Sequence, residues 1–199
     1  MSTGTVLVTG ASSGLGAEMA RQFAALGYDL ALCARRTDRL DVLAEEIRTA
    51  TGRRVETAAL DVTDAEAVPA VFARFAESFG TVDRVVVNAG IGKGAALGTG
   101  RADANRATAM TNFVGALAQT EAALEIFRRQ QRGHLVLISS MSALRGMRKA
   151  MTTYAATKAG VAALAEGLRS ERIPGLDVSV IYPGYIRSEM NAHVEQKDA

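Results

Sequence analysis

The sequence holds one cysteine, Cys33, which excludes an internal disulfide and any multi-cysteine metal site, and the apolar run around Cys33 marks a core thiol. Histidine is nearly as scarce: His134 and His193 lack the spacing of a zinc or iron site, and no metal is assigned. No apolar stretch approaches the length needed to span a bilayer, and Met1 to Gly10 lacks both a basic opening and a long apolar segment. A cytoplasmic protein with no membrane partner is expected. Charge imbalance is missing too, since 23 basic against 21 acidic residues leave +2, too little to grip nucleic acid or an anionic membrane. Small organic molecules are the partners that remain. No charge block, low-complexity tract or repeat marks a linker, so the 199 residues, 48% hydrophobic, read as one domain over 1–199 with one buried core.

What the chain does have is alternation. Short β-branched runs at Thr5 to Thr9, Asp29 to Ala34, Val55 to Leu60, Asp83 to Val87, His134 to Ile138 and Asp177 to Ile181 read as strands. The segments between them have helical period. A first helix from about Gly14 to Leu26 puts Met19, Phe23 and Leu26 on one face and stops at Gly27; a second uses Leu40, Leu43 and Ile47. Thr63 and Glu66 form the pattern of a capping box for a third, with Pro69 unusually far in. A long fourth helix, about Ala102 to Arg132, carries Met110, Phe113, Leu117, Leu124 and Phe127 along one side, and a fifth runs from about Thr153 to Arg169. Strands joined by helical crossovers must point the same way. The expected fold class is therefore α/β, a single Rossmann-type doubly wound parallel sheet with helices on both faces.

The turn Thr9-Gly10-Ala11-Ser12-Ser13-Gly14-Leu15-Gly16 follows the first strand and opens the first helix, where helix-terminal amides can hold a pyrophosphate. It lacks the lysine of a P-loop, which disfavours nucleotide triphosphate hydrolysis. The second strand ends in Ala34-Arg35-Arg36, where many NAD-binding folds place an acid for the adenosine ribose. A guanidinium there pairs with a 2′-phosphate instead, so Arg35, helped by Arg36, points to NADP(H) over NAD(H).

Tyr154-Ala155-Ala156-Thr157-Lys158 sets a phenol and an ammonium four residues apart on one helical face. The ammonium favours the phenolate and brings the acid and base forms closer to a useful pH, which suits proton exchange with a carbonyl or hydroxyl oxygen. Upstream, His134-Leu-Val-Leu-Ile-Ser-Ser140 is a strand ending in hydroxyls, at the strand end where open parallel sheets bind ligands. Ser140 is ranked first to face a substrate oxygen, with Ser139 and Ser142 as competitors.

Together these residues resemble the short-chain dehydrogenase/reductase family, matching Thr9-Gly10-(x)3-Gly14-x-Gly16, Asp61-Val62, Asn88-Ala89-Gly90, Asn112, Ser140, Tyr154-(x)3-Lys158 and Pro183-Gly184. The resemblance implies hydride transfer between NADP(H) and a carbonyl or secondary alcohol, with Tyr154 as proton donor and acceptor and Ser140 holding the oxygen. It implies that Lys158 binds the nicotinamide ribose and lowers the tyrosine pKa, and that Asn112, at a break in the long helix, holds a water linking Lys158 to solvent. Gly10, Ser12, Ser13, Gly14, Leu15 and Gly16 would take the pyrophosphate, and Asp61 and Val62 would flank the adenine. Asn88, Ala89 and Gly90 would let the fourth strand pass close to the cofactor, and Pro183, Gly184, Ile186 and Ser188 would lie against the nicotinamide.

Three departures accompany the likeness. Ser188 stands where threonine is usual, and the 13 residues from Met141 to Thr153 are one more than usual, so that loop is expected to bulge. The family's last segment, a substrate-covering helix pair and a seventh strand, cannot be read, so the C-terminal part of the fold is expected to be missing. Helix faces of small residues, Ala156, Gly160, Ala163 and Gly167, match those that form dimers and tetramers in the family. A non-catalytic dinucleotide sensor or scaffold, or an epimerase or dehydratase on the same fold, stays open as an alternative.

Overall fold

Thr, Val and Leu without interruption make β1 (Thr5–Thr9) a strand fit to be covered on both faces, and all five of its residues are buried. In the computed structural model, which describes residues 2–186, it is central in a six-stranded sheet. The chain continues through α1 (Gly14–Ala25), β2 (Asp29–Ala34), α2 (Thr37–Thr51), β3 (Val55–Ala59), α3 (Ala67–Phe79) and β4 (Arg84–Val87). It then forms α4 (Ala102–Ala109), a π turn (Met110–Val114), α5 (Gly115–Gln130), β5 (Gly133–Ile138), a 3-10 turn (Met141–Leu144), α6 (Met151–Glu171) and β6 (Leu176–Ile181). The strand order is β3-β2-β1-β4-β5-β6, and every pairing is parallel. The expected α/β class and all six strands are present, with ends shifted by one residue at most.

Alternation along the strands divides the core into two layers. Val6, Val8, Leu30 and Leu32 pack under α1 and α2 with Leu40, Leu43 and Ile47, while Leu7, Val85, Leu135 and Leu137 pack under α3, α5 and α6 with Phe72, Phe75, Phe127 and Val161. Cys33 lies in the second layer, fully buried, its thiol pushed up to about 12 by desolvation, as a core thiol should be. Because β2 and β3 extend from one side of β1 while β4, β5 and β6 extend from the other, the connections leaving β1 and β4 diverge. That divergence opens the crevice where such sheets bind ligands.

Four helix expectations need correction. Met19 and Phe23 of the expected α1 face pack partly buried against the core beside the buried Gly16, Ala17, Ala20 and Ala24, whereas Leu26 is 67% exposed. The capping box at Thr63 and Glu66 does not form: Asp64 Oδ1 accepts from the N–H groups of Glu66 and Ala67, and Thr63 turns its hydroxyl to Asp61. Pro69 is thus the third residue of α3, inside the first turn, where a missing N–H costs little. The long helix is interrupted by the π turn, which adds a residue and rotates the following face by roughly 100°. Met110 and Leu117 therefore face outward, and Asn112, Gln119 and Thr120 face inward with Leu124 and Phe127. The tyrosine helix starts at Met151, two residues before the expected Thr153.

Candidate active site

The turn after β1 is assembled by backbone contacts that leave no room for side chains. A Cβ on Gly16 would lie 2.5 Å from the Gly10 carbonyl oxygen and 2.7 Å from Asn88 Nδ2, and one on Gly10 would lie 2.9 Å from Ala89 Cα. Gly10 also has φ +64°, a conformation that glycine adopts without strain. Thr9 locks the turn to the end of β4: its Oγ1 accepts from the N–H groups of Asn88 (3.0 Å) and Ala89 (3.1 Å), and Asn88 Nδ2 donates to Thr9 O at 2.9 Å. Thr9 was absent from the expected site residues. Its buried hydroxyl, next to a glycine at a strand end, was the available signal.

Ser13 begins α1 in extended conformation with no side-chain cap bond, and no acidic residue occupies the first turn. Its amides remain suited to an anion. Arg36 reaches back over this turn, donating from Nη2 to Ser13 Oγ at 2.6 Å and from Nε to Ser12 Oγ at 3.3 Å. Arg35 turns toward the end of β3, its Nη1 3.7 Å from Asp61 Oδ2. Burial opposes ionisation of Asp61, yet the Thr63 N–H and hydroxyl and then Arg35 hold its carboxyl below the usual value. Val62 is buried against Gly115 at the start of α5. The two arginines and the glycine turn thus make a cationic, amide-rich rim. An open groove of about 460 Å³ between α1 and α2 also starts at Ser12 and Ser13, but no Tyr154-side residue lines it. Tyr154, Lys158 and Asn112 converge instead in the sheet crevice.

Across the crevice, Gly90 lets three segments meet, since a Cβ there would lie 3.3 Å from Asn112 Oδ1 and 3.5 Å from Lys158 Nζ. Asn112, 1% exposed at the π turn, grips the backbone of Ile91 by accepting from its N–H at 2.8 Å and donating to its carbonyl at 2.9 Å. Lys158, 5% exposed, donates to the Ile138 carbonyl at 2.8 Å and lies 5.9 Å from the centroid of the Tyr154 ring. Desolvation lowers its pKa to about 8. Burial raises the Tyr154 phenol above its ordinary value, and a hydrogen bond from Ser140 pulls it back. The expected lowering by Lys158 does not contribute here: burial raises the phenol, and the group that pulls it back is Ser140.

The three serines separate cleanly. Ser139 is buried and donates to the Lys158 carbonyl at 2.7 Å, which pins α6 to β5. Ser142 points its hydroxyl at Ser140 Oγ, 2.9 Å away, and Ser140 is the serine that lowers the Tyr154 phenol. The loop from Met141 to Thr153 contains the 3-10 turn and Lys149 at φ +58°. Pro183 accepts from the Met141 N–H at 3.0 Å, which ties the segment after β6 to the 3-10 turn. Ser188 and His193 lie outside the described residues.

Among the described residues no helix is long and apolar enough to cross a membrane, and no group of metal-ligating side chains gathers. The family model described as short chain dehydrogenase matches residues 4–199. An oxidoreductase of Mycobacterium tuberculosis is 54% identical over 189 residues, covering 94% of this chain and 75% of the relative. An alcohol dehydrogenase from the archaeon Thermococcus sibiricus, solved with 5-hydroxy-NADP, superposes with TM-score 0.86 at 32% identity, over 92% of this chain and 77% of that one. A short chain dehydrogenase/reductase from Burkholderia phymatum, solved with NAD, gives 0.89 at 25% identity, over 100% of this chain and 71% of that one.

Proposed function

The chain belongs to the short chain dehydrogenase family, oxidoreductases with an NAD(P)-binding fold, and from that premise we propose that it interconverts a carbonyl compound and a secondary alcohol with NADP(H). The observation that carries this reading is the convergence of Tyr154, Ser140, Lys158 and Asn112 beside the ends of β4 and β5. When bound, the nicotinamide supplies or takes up the hydride. Ser140 donates its O–H to the substrate oxygen and polarises it. Tyr154 gives that oxygen its phenolic proton as the carbonyl becomes an alcohol, and recovers it in the other direction. Lys158 holds the ribose hydroxyls, and its charge lowers the phenol from the value that burial imposes. Asn112 holds a water that links Lys158 to solvent.

In the same reading Gly10, Ser12, Ser13, Gly14, Leu15 and Gly16 hold the pyrophosphate, Asp61 and Val62 flank the adenine, and Asn88, Ala89 and Gly90 line the cofactor. Pro183, Gly184, Ile186 and Ser188 meet the nicotinamide. The preference for NADP(H) rests on Arg35 and Arg36, which stand where an acid would serve NAD(H). We also read 1–199 as one domain of a cytoplasmic homodimer or homotetramer. The exposed Met110, Val114 and Leu117 support an assembly, as do the small residues Ala156, Ala163 and Gly167, exposed on α6. Gly160 does not join that face, being packed on Phe113.

Titration with NADPH and NADH, followed by a screen of ketones and secondary alcohols, tests the proposal. Net NADPH consumption with a ketone is expected; its absence across the panel would favour the sensor or the epimerase and dehydratase readings. Arg35→Ala should weaken NADPH about tenfold more than NADH, the loss of one phosphate pairing. Arg36→Ala should weaken both, because Arg36 also braces Ser12 and Ser13. Equal losses in Arg35→Ala would remove the cofactor preference.

A further inference from the structure

We propose that Ser142 is a positioning residue that fixes Ser140 as a hydrogen-bond donor toward the substrate oxygen, an inference that rests on the catalytic reading of Ser140 and Tyr154. A hydroxyl has one proton to give and two lone pairs with which to accept. Ser140 Oγ accepts from the Ser142 N–H at 3.2 Å and from the Ser142 O–H at 2.9 Å. With both acceptor positions engaged, donation is the capacity left to Ser140, whose hydroxyl also lowers the Tyr154 phenol from the value that burial sets.

This polarity has a chemical consequence. A carbonyl oxygen can only accept, so a serine held as donor is ready for it before it arrives. Were Ser140 free to accept from Tyr154, the phenolic proton would point at the serine and away from the substrate. Donation from Ser140 also favours the Tyr154 phenolate, so the orientation of one hydroxyl bears on the acidity of the other.

The surrounding backbone makes the Ser142 hydroxyl separable from the turn that carries it. Met141 N–H is tied to the Pro183 carbonyl at 3.0 Å and Ala143 N–H to the Ser140 carbonyl at 2.9 Å. The cap on the 3-10 turn uses the Ser142 N–H, which every variant except proline keeps. A purely structural role for Ser142 would therefore leave its hydroxyl dispensable. A positioning role would not.

The test compares Ser142→Thr, which keeps the hydroxyl, with the near-isosteric Ser142→Val, which removes it, both in the full chain. One readout needs no substrate: the ionisation midpoint of Tyr154, measured as tyrosinate absorbance of each variant minus that of the same variant carrying Tyr154→Phe. Lys158, on the same helix, is the charged group placed over the ring and is common to every sample. The midpoint should rise by about half a pH unit or more in Ser142→Val, as expected for a weakened hydrogen bond to the phenolate, and stay in place in Ser142→Thr.

The second readout is NADPH-driven reduction of the best of cyclohexanone, acetophenone and 2,3-butanedione. We expect kcat to fall about tenfold in Ser142→Val, with KM and NADPH affinity held and Ser142→Thr at the wild-type rate. Should Ser142→Val fail to fold, Ser142→Ala takes its place against Ser142→Thr. Equal midpoints and equal kcat for the two variants would overturn the proposal. If that happened while Tyr154→Phe was inactive, the Ser142 role alone would fall; wild-type turnover in Tyr154→Phe would remove the catalytic reading beneath it.

Discussion

The turn after β1 and the cluster around Tyr154 lie at the same end of one sheet but are built from different materials. The turn is backbone: its amides and carbonyls do the work, and side chains beyond hydrogen are excluded at Gly10 and Gly16. The Tyr154 cluster is side chains, brought together from the π turn, the end of β5 and α6. A backbone site should be broken by adding atoms, and a side-chain site by removing them.

The sharpest break is expected at the phenol. Tyr154→Phe deletes one oxygen and should cut turnover by about 10²- to 10⁴-fold, the scale of lost general acid catalysis, with NADPH affinity retained. Steady-state rates beside a cofactor titration measure both; a variant that loses affinity as much as rate would show that the ring holds the cofactor instead of moving a proton.

Lys158 offers the next largest effect, with stability and function opposed. Its folded pKa of about 8 lies below the ordinary 10.5, so between those values the unfolded chain binds more protons and wild-type stability rises with pH. Below about pH 8 the full penalty for burying the charge applies, about 3 kcal/mol. Lys158→Met should be at least as stable as wild type at pH 7 and catalytically impaired, and should lack the rise between pH 8 and 10. Urea unfolding of both proteins across that range gives the difference curve. A flat difference would mean that Lys158 is not held in a desolvated site.

Gly16→Ala probes the other region by addition. The new methyl would press on the Gly10 carbonyl, which is backbone and cannot rotate away, at a cost of about 1–3 kcal/mol typical of overpacking. Weaker binding of NADPH and NADH together should accompany the lower denaturation midpoint. Unchanged affinity for both would show that the turn is not the pyrophosphate cradle.

The contrast between the regions also explains what could be read in advance. The glycine turn was legible because Gly10, Gly14 and Gly16 report a backbone requirement in their own identity. Tyr154 and Lys158 were legible because they lie one helical turn apart. Less legible were roles set by distant partners. Arg36, expected as a helper to Arg35, spans to Ser12 and Ser13, more than 20 residues away. Arg35, expected to face a phosphate, also pairs with Asp61. The outward turn of Met110 and Leu117 was hidden because helical periodicity assumes a constant 3.6 residues per turn, which the π turn at Asn112 breaks.

Periodicity and glycine placement alone determined that six strands alternate with helices and that the first crossover is a tight, amide-lined turn, since both follow from local backbone geometry. What each serine bonds to was decided only by tertiary structure. Ser139, Ser140 and Ser142 have the same chemistry and nearly the same position in sequence. Their fates differ because Ser139 donates to the Lys158 carbonyl across 19 residues, while Ser142 is turned back onto Ser140, which accepts from it.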